Sequence, residues 1–219
     1  MIAVRLYPAI KRLFDLAFAG LLVVLVAPIL LLAAIAIKLG SKGPVFFRQA
    51  RAGKKGTIFD IYKFRSIRVE THAEDGREMA DFERMTRVGK MVRDWSLDEL
   101  PQLINIIKGE MSLIGPRPLL PEYLPHYSAE QMRRHEALPG VTGWAQINGR
   151  NAASWEAKFE YDVWYVENRS LRLDFKIFFL TMLKIFKREG VNQDKQNTME
   201  RFTGTKILSK SKIEQRYMR

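Results

Sequence analysis

Residues 93 to 118, RDWSLDELPQLINIIKGEMSLIGPRP, hold the densest set of charges and backbone constraints in the chain. Asp98 and Glu99 are adjacent carboxylates just ahead of an apolar stretch. Each opposes the other's ionisation, whereas a helix N-terminus behind them or a divalent cation in front favours the charged form. An ionised carboxylate there is a candidate nucleophile. A structural role competes. Ser96 and Glu99 have the S-x-x-E spacing of a capping box, in which the two side chains satisfy helix N–H groups reciprocally. Pro101 is awkward for a helix begun at Ser96, because it removes an internal hydrogen bond, and fits better as the first helical residue. Spacing alone favours capping.

Pro116 and Pro118 constrain the backbone on both sides of Arg117, which reduces the entropy lost when a guanidinium grips a phosphate bidentately. A turn with a solvent-facing Arg is the plainer reading. Lys63, Arg65, Arg87 and Arg93 add cations, each by itself an ordinary surface residue. The Gly-rich stretch from Pro139 to Gln146 either offers N–H groups to an anion or packs around Trp144. The chain has no Cys, and its three His (His72, His126, His135) show no ligand spacing. Disulfides, thiolate chemistry and a His-built zinc site are therefore set aside, leaving hard, oxygen-bound cations.

The elements that must position these groups begin with a membrane segment. Leu16 to Ile37 is a run of 22 residues without a formal charge, roughly 33 Å as one straight helix and long enough to span a bilayer. Pro28 near its middle predicts a kink. Arg5, Lys11 and Arg12 precede the run and Lys38 and Lys42 follow it, so the charge asymmetry that orients a simple span is missing. A kinked helix that enters one leaflet and returns, with both ends on the cytoplasmic side, fits these features. A tilted single span and a cleaved signal peptide are the alternatives.

With 36 Lys and Arg against 24 Asp and Glu, a formal charge of +12 and a hydrophobic fraction of 47%, the 219 residues suit one domain and an anionic partner. Nucleic acid, lipid head groups and a phosphorylated substrate all qualify. After Gly43-Pro44, residues 45–47 and 57–62 predict a β-hairpin turning between Gly53 and Gly56. Residues 70–85 predict an exposed helix or loop. Leu103 to Ile107 predicts a short helix closed by Gly109, and residues 127–137 and 151–168 predict further helices. From Asp174 to Arg188, Lys176, Lys184, Lys187 and Arg188 oppose Phe175, Phe178, Phe179, Met182 and Phe186, which suits a core-packed helix or one lying on an anionic membrane surface. An anionic nucleophile candidate, phosphate-type Arg residues, no His base and a membrane segment together suggest transfer of a phosphoryl-bearing group to a lipid.

The ordered blocks Lys11-Arg12-Leu13-Phe14-Asp15, Gly43-Pro44-Val45-Phe46-Phe47, Lys63-Phe64-Arg65-Ser66, Ser96 to Gln102, Met111 to Pro118, Pro139 to Trp144, and Asp174 resemble the bacterial sugar transferase family, the monotopic phosphoglycosyl transferases. The resemblance covers nearly all of residues 11–188 at the length of the family's small form. It implies an α+β, mainly α fold. On this resemblance residues 1–42 would form a reentrant helix and 43–188 a cytosolic catalytic domain with a small hairpin and membrane-surface amphipathic helices, leaving 189–219 as a basic extension without chemistry. Relatives break the membrane helix at Ser-Pro. Here the pair is Ala27-Pro28, which keeps the kink and lacks the hydroxyl.

The implied reaction moves a sugar 1-phosphate from a UDP-sugar to polyprenyl (undecaprenyl) phosphate, at the cytoplasmic face of the bacterial plasma membrane, and releases UMP. The resemblance carries the nucleophile onto Asp98, which would form an aspartyl-phosphosugar intermediate and serve as a ligand for Mg²⁺. Glu99 would orient the metal, position the acceptor or tune Asp98. Arg117 becomes the phosphate clamp, with Arg93, Arg65 and Lys63 behind it and Arg150 toward the nucleotide. No nucleic-acid partner is implied. Two other readings are kept: a nonenzymatic basic protein binding membrane or nucleic acid, and an enzyme of the same setting that uses direct attack without a covalent step.

Overall fold

A computed structural model describes residues 2–73, 75–149, 153–187 and 201–204 of the chain. Helix α1 (Ile2–Gly40) takes in the apolar run, and its assignment passes through Pro8 and Pro28 without interruption. The stretch Leu6–Gly40 is long and apolar enough to cross a membrane. Strands β1 (Phe46–Ala52) and β2 (Ile58–Phe64) form the expected antiparallel hairpin, in register from Phe46 opposite Phe64 to Ala52 opposite Ile58. The first strand runs further than its three aromatic and branched residues suggested, because ladder pairing continues through Arg48 and Arg51.

Residues 70–85 hold no helix among those described. Isolated bridges, Ile67 to Met85 and His72 to Glu78, fold them into an exposed loop. Helix α2 (Arg87–Asp94) starts at Thr86, whose hydroxyl accepts from the Gly89 N–H. A 3₁₀ turn, Leu97–Gln102, leads into α3 (Leu103–Lys108), which Gly109 ends in the left-handed conformation at φ 85°.

Strand β3 (Ser112–Ile114) lies parallel to β4 (Gly140–Thr142), a pairing that three-residue strands left invisible in the sequence. Between them come a 3₁₀ turn at Pro121–His126, then α4 (Ala129–Met132) with its Ser128–Gln131 capping box, and a 3₁₀ turn at Arg133–Glu136. Helices α5 (Trp144–Asn148), α6 (Trp155–Asn168) and α7 (Leu171–Phe186) complete the body.

Helix α1 is laid along this body. Near its start Tyr7 and Lys11 donate to Asp174 at 3.0 and 2.8 Å, and Arg12 donates to the carbonyls of Ile106 and Ile107 at the end of α3. The Ile106 carbonyl also accepts from the Gly109 N–H at 3.0 Å, and a cation at this helix end adds further hydrogen bonds and suits the dipole. Asp15, fully buried, accepts from the Leu113 N–H at 3.1 Å. Phe14 and Phe18 meet Phe175 and Phe178 edge-on at 5.0 and 5.1 Å. Near its other end Ala33 and Ile37 are buried in a second cluster with Phe64 of β2 and Val92 of α2. Both ends of the apolar helix therefore touch the same globular body.

In α7 the bulky residues divide. Ile177 is buried, while Phe175, Phe179 and Leu183, at four-residue spacing, are 42, 62 and 55% exposed. Lys176 sits over the Trp144 ring at 5.4 Å, and Lys184 donates to the Ile147 carbonyl. One side of the helix packs and another remains open; the side chain of Phe186 and all of Arg188 lie outside the described residues. Of residues 189–219 only 201–204 are described. There Phe202 is buried against Tyr123, Tyr127 and Phe159, so at this point the chain is built into the body.

Candidate active site

Ser96 decides how the carboxylate pair is presented. It adopts a left-handed conformation, φ 55° and ψ 21°, which is costly for a residue with a Cβ, and its side chain makes no capping bond. The capping box favoured by spacing does not form. Pro101 gives the reason: an α-helix begun here needs an N–H at Pro101 to bond the Leu97 carbonyl, and proline has none. The chain takes the 3₁₀ turn instead and becomes α-helical only at Leu103.

Glu99 is thereby free to pair elsewhere. Its Oε1 accepts from Lys63 Nζ at 2.8 Å and from Arg117 Nη2 at 3.0 Å. Burial alone would raise this carboxyl, but the charges of Arg117 and Lys63, with their hydrogen bonds, overcome it and hold it at about 2. Arg117 is raised in turn, mainly by the Glu99 charge. Asp98, one residue away, forms no ion pair among the described residues. Burial first, and then the Glu99 charge, push its carboxyl above the usual range, while Lys63 and Arg93 pull the other way.

Each partner arrives by a separate device. Lys63 stands on β2, which Asn105 of α3 staples in place: its Oδ1 accepts from the Tyr62 N–H at 3.1 Å, and its Nδ2 donates to the Asp60 carbonyl at 2.7 Å. A fully buried amide with these bonds is satisfied and rigid. Arg117 follows β3, and that strand fits against β4 only because Gly115 has no side chain. A Cβ there would meet the Leu138 carbonyl oxygen at 2.2 Å.

The structure thus brings Asp98, Glu99, Lys63 and Arg117 together, with Arg93 exposed in the last turn of α2 and acting on Asp98 by charge. Arg65 is buried and directs Nη1 and Nη2 to the carbonyls of Lys42 and Ser41, fastening the turn after α1, and its buried Nε has no partner. Arg150 lies outside the described residues. Pro28 lies within α1, remote from this cluster in sequence.

Arg51 was missed by sequence reasoning. It stands on β1 opposite Phe59, and Gln49 and Phe47 stand opposite Ile61 and Lys63, so Gln49, Arg51 and Lys63 share the inward face of the hairpin. The signal was alternation: once Lys63 is placed, the register selects Gln49 and Arg51.

Comparisons with known proteins identify the family. The family described as bacterial sugar transferase matches residues 6–188. The chain is 52% identical over 202 residues to the Bacillus subtilis protein named uncharacterized sugar transferase EpsL, covering 91% of this chain and 98% of that one. It is 42% identical over 185 residues to the UDP-glucose:undecaprenyl-phosphate glucose-1-phosphate transferase of Klebsiella pneumoniae, covering 80% of this chain and 40% of the relative. It is 43% identical over 193 residues to the UDP-N-acetylgalactosamine-undecaprenyl-phosphate N-acetylgalactosaminephosphotransferase of Aeromonas hydrophila, covering 84% and 45%. The chain therefore spans less than half the length of these two larger relatives and nearly all of the Bacillus one. The match takes in α1, the hairpin, the carboxylate turn and the Arg117 loop as one unit, and on that basis the chain belongs to the bacterial sugar transferase family.

Proposed function

We propose that this protein transfers a sugar 1-phosphate from a UDP-sugar to undecaprenyl phosphate, with Asp98 as a covalent nucleophile, at the cytoplasmic face of a bacterial plasma membrane. The observation that carries this reading is the division of labour in the carboxylate pair. Glu99 is neutralised by Lys63 and Arg117, while Asp98 forms no ion pair among the described residues. One acid organises the cations and its neighbour keeps its oxygens for chemistry. Relatives from Klebsiella pneumoniae, Escherichia coli and Aeromonas hydrophila are named as transferases between a UDP-sugar and undecaprenyl phosphate, which supports the substrate class.

In the first half-reaction an Asp98 oxygen attacks the phosphorus that bears the sugar, and the bond to the nucleotide phosphate breaks. Its electron pair leaves with UMP. In the second, a phosphate oxygen of the lipid attacks the same phosphorus, the bond to Asp98 breaks, and the carboxylate is regenerated beside polyprenyl diphosphate-sugar. Lys63 and Arg117, both held by Glu99, would offset charge on the phosphoryl oxygens.

The described residues contain no group of three or more acids or histidines suited to a metal cage. Two adjacent carboxylates do fit Mg²⁺ in the mode completed by substrate phosphates and water, with Asp98 as the ligand, since Glu99 Oε1 is already engaged twice. Bound there, Mg²⁺ would offset diphosphate charge.

The contact of both ends of α1 with one globular body supports a helix that returns to the side it entered. Exposed Ile104 and Ile107 on α3, and Phe175 and Phe179 on α7, extend the open apolar surface of α1. Surface of this kind suits a membrane interface. A nonenzymatic basic binder would leave the paired acids and the strained Ser96 unexplained.

The test is incubation of nanodisc-reconstituted protein with undecaprenyl phosphate, Mg²⁺ and UDP-glucose, UDP-galactose and UDP-N-acetylhexosamines in turn. UMP release that Asp98→Asn abolishes, with a phosphosugar increment on intact wild-type mass, is expected. No release from any donor overturns the transferase; release without an adduct under any quench overturns the covalent step. Reporters at residues 3 and 60 are expected on one side of the membrane, and opposite sides would establish a span.

A further inference from the structure

Three cations, Lys63, Arg117 and Arg51, converge on one side of the hairpin, and only the first two have an acidic partner. Arg51 donates from Nη2 to the neutral Gln49 Oε1 at 2.6 Å; its Nε is buried without a partner, and it forms no ion pair among the described residues. A partly buried guanidinium without a counter-charge is costly. Arg117 is its neighbour of like charge, which adds to that cost. Burial first and then Arg117 push Arg51 below its ordinary value. The main chain fixes the approach, since the Ala52 N–H donates to the Leu119 carbonyl at 2.9 Å and so ties the end of β1 to the loop that carries Arg117.

We infer that Arg51, braced by Gln49, is a phosphate-binding residue that holds the leaving nucleotide, receiving the phosphate of UMP as the bond to the sugar phosphate breaks. This rests on the transferase reading and assigns one phosphate of the donor within it. Hydrogen bonds link the cluster: Glu99, next to Asp98 in sequence, accepts from Arg117 at 3.0 Å, and the Ala52 N–H bond to the Leu119 carbonyl holds the strand that carries Arg51 beside the loop that carries Arg117. Displacement at phosphorus places attacking and leaving oxygens in line. With Asp98 as the attacking group, the leaving phosphate belongs across Arg117 from it, beside the Arg51 guanidinium. Charge agrees: Lys63, Arg117, Arg51 and Arg93 exceed the two carboxylates Asp98 and Glu99 by two, which a diphosphate complements.

The test measures equilibrium binding of UMP and of uridine to nanodisc-embedded wild type, Arg51→Gln, Arg51→Lys and Gln49→Leu, alongside donor and acceptor KM. UMP binding is expected to weaken by about tenfold or more in Arg51→Gln, less in Arg51→Lys, and to fall in Gln49→Leu, as for loss of a charge-assisted hydrogen bond. Uridine binding and acceptor KM are expected to stay within about twofold. If Arg51→Gln does not fold, Arg51→Lys and Gln49→Leu carry the comparison. UMP affinity independent of these side chains in an active enzyme overturns the inference and leaves the transferase standing. A rise in acceptor KM with unchanged UMP binding overturns it too, by moving Arg51 to the lipid phosphate. Wild type that binds UMP through Arg51 and releases none from any donor instead overturns the transferase reading alone.

Discussion

Arg117 donates to Glu99 at 3.0 Å, and this bond ties the loop after β3 to the turn that presents Asp98. The same oxygen accepts from Lys63 at 2.8 Å, so one carboxylate fixes two cations from different parts of the chain. Because Glu99 is held at about 2, against 4.5 for an unperturbed Glu, its contribution to stability is fully present above pH 4.5 and disappears as pH falls toward 2. Glu99→Gln is expected to lower stability at pH 7 by at most roughly 3 kcal/mol and to flatten the acid limb between pH 4.5 and 2. Urea unfolding at pH 7 and pH 3 measures both. An unchanged acid limb in the variant would refute the pairing.

Asp98 has the opposite sign. Its carboxyl is raised by burial and by Glu99, so the folded state binds the proton more tightly than the unfolded chain and stability declines as pH rises from 3.8 through the folded value. At neutral pH the charge is a cost. Asp98→Asn is expected to raise the melting temperature while lowering turnover by about 10³ or more, the pattern of a residue retained for chemistry. In wild type, kcat/KM for the donor should fall with acidification at a pH above the ordinary carboxylate range. Calorimetry and a pH–rate profile test the two halves separately. A variant less stable than wild type contradicts the electrostatic account.

The hairpin, the helix closed by Gly109 and the apolar α1 were legible because each follows from local periodicity or a breaker residue. So were Asp98, Glu99 and Arg117 as candidates, since adjacent charges and flanking prolines are local features. What the sequence concealed was pairing at a distance. Nothing local announces that Ser112 will lie beside Gly140, yet that pairing places Arg117. The Ser96–Glu99 spacing misled because it reports a propensity that Pro101 overrides. Nor does the sequence announce that Arg65 directs two of its nitrogens to the turn after α1.

Gly115 tests the long-range pairing directly. A Cβ at this position would meet the Leu138 oxygen at 2.2 Å and the Gly140 nitrogen at 2.9 Å, both backbone atoms that cannot swing aside. Gly115→Ala is expected to cost about 3 kcal/mol or more and to reduce donor turnover by displacing Arg117. Gly109→Ala is the control. There the strain is a positive φ of 85°, and the nearest atom is the Arg12 side chain at 3.4 Å, so a loss of about 1 kcal/mol is expected. Equal effects of the two substitutions would mean that β3 and β4 do not pack as closely as described.

His135 predicts an acid sensitivity separate from the catalytic acids. Its Nδ1 lies 2.8 Å from the Gly53 carbonyl, which can only accept, so Nδ1 carries the proton and the buried Nε2 has no partner. A second proton on Nε2 would place a charge in a buried site next to Arg134. Burial first, then that charge, hold the imidazole at about 4 against 6.5 when free. Between those values the unfolded chain binds more protons, so stability falls as pH drops from 6.5 toward 4. Wild type is expected to lose roughly 2 kcal/mol between pH 7 and pH 5 from this residue. His135→Gln keeps a donor for Gly53 and removes the titration, so its loss over the same interval should be smaller by that amount. Because Gly53 ends the strand that carries Arg51, the same acidification should weaken UMP binding in wild type more than in His135→Gln. Parallel urea titrations and UMP binding curves at the two pH values check both effects, and identical pH dependence in the two proteins would refute the assignment.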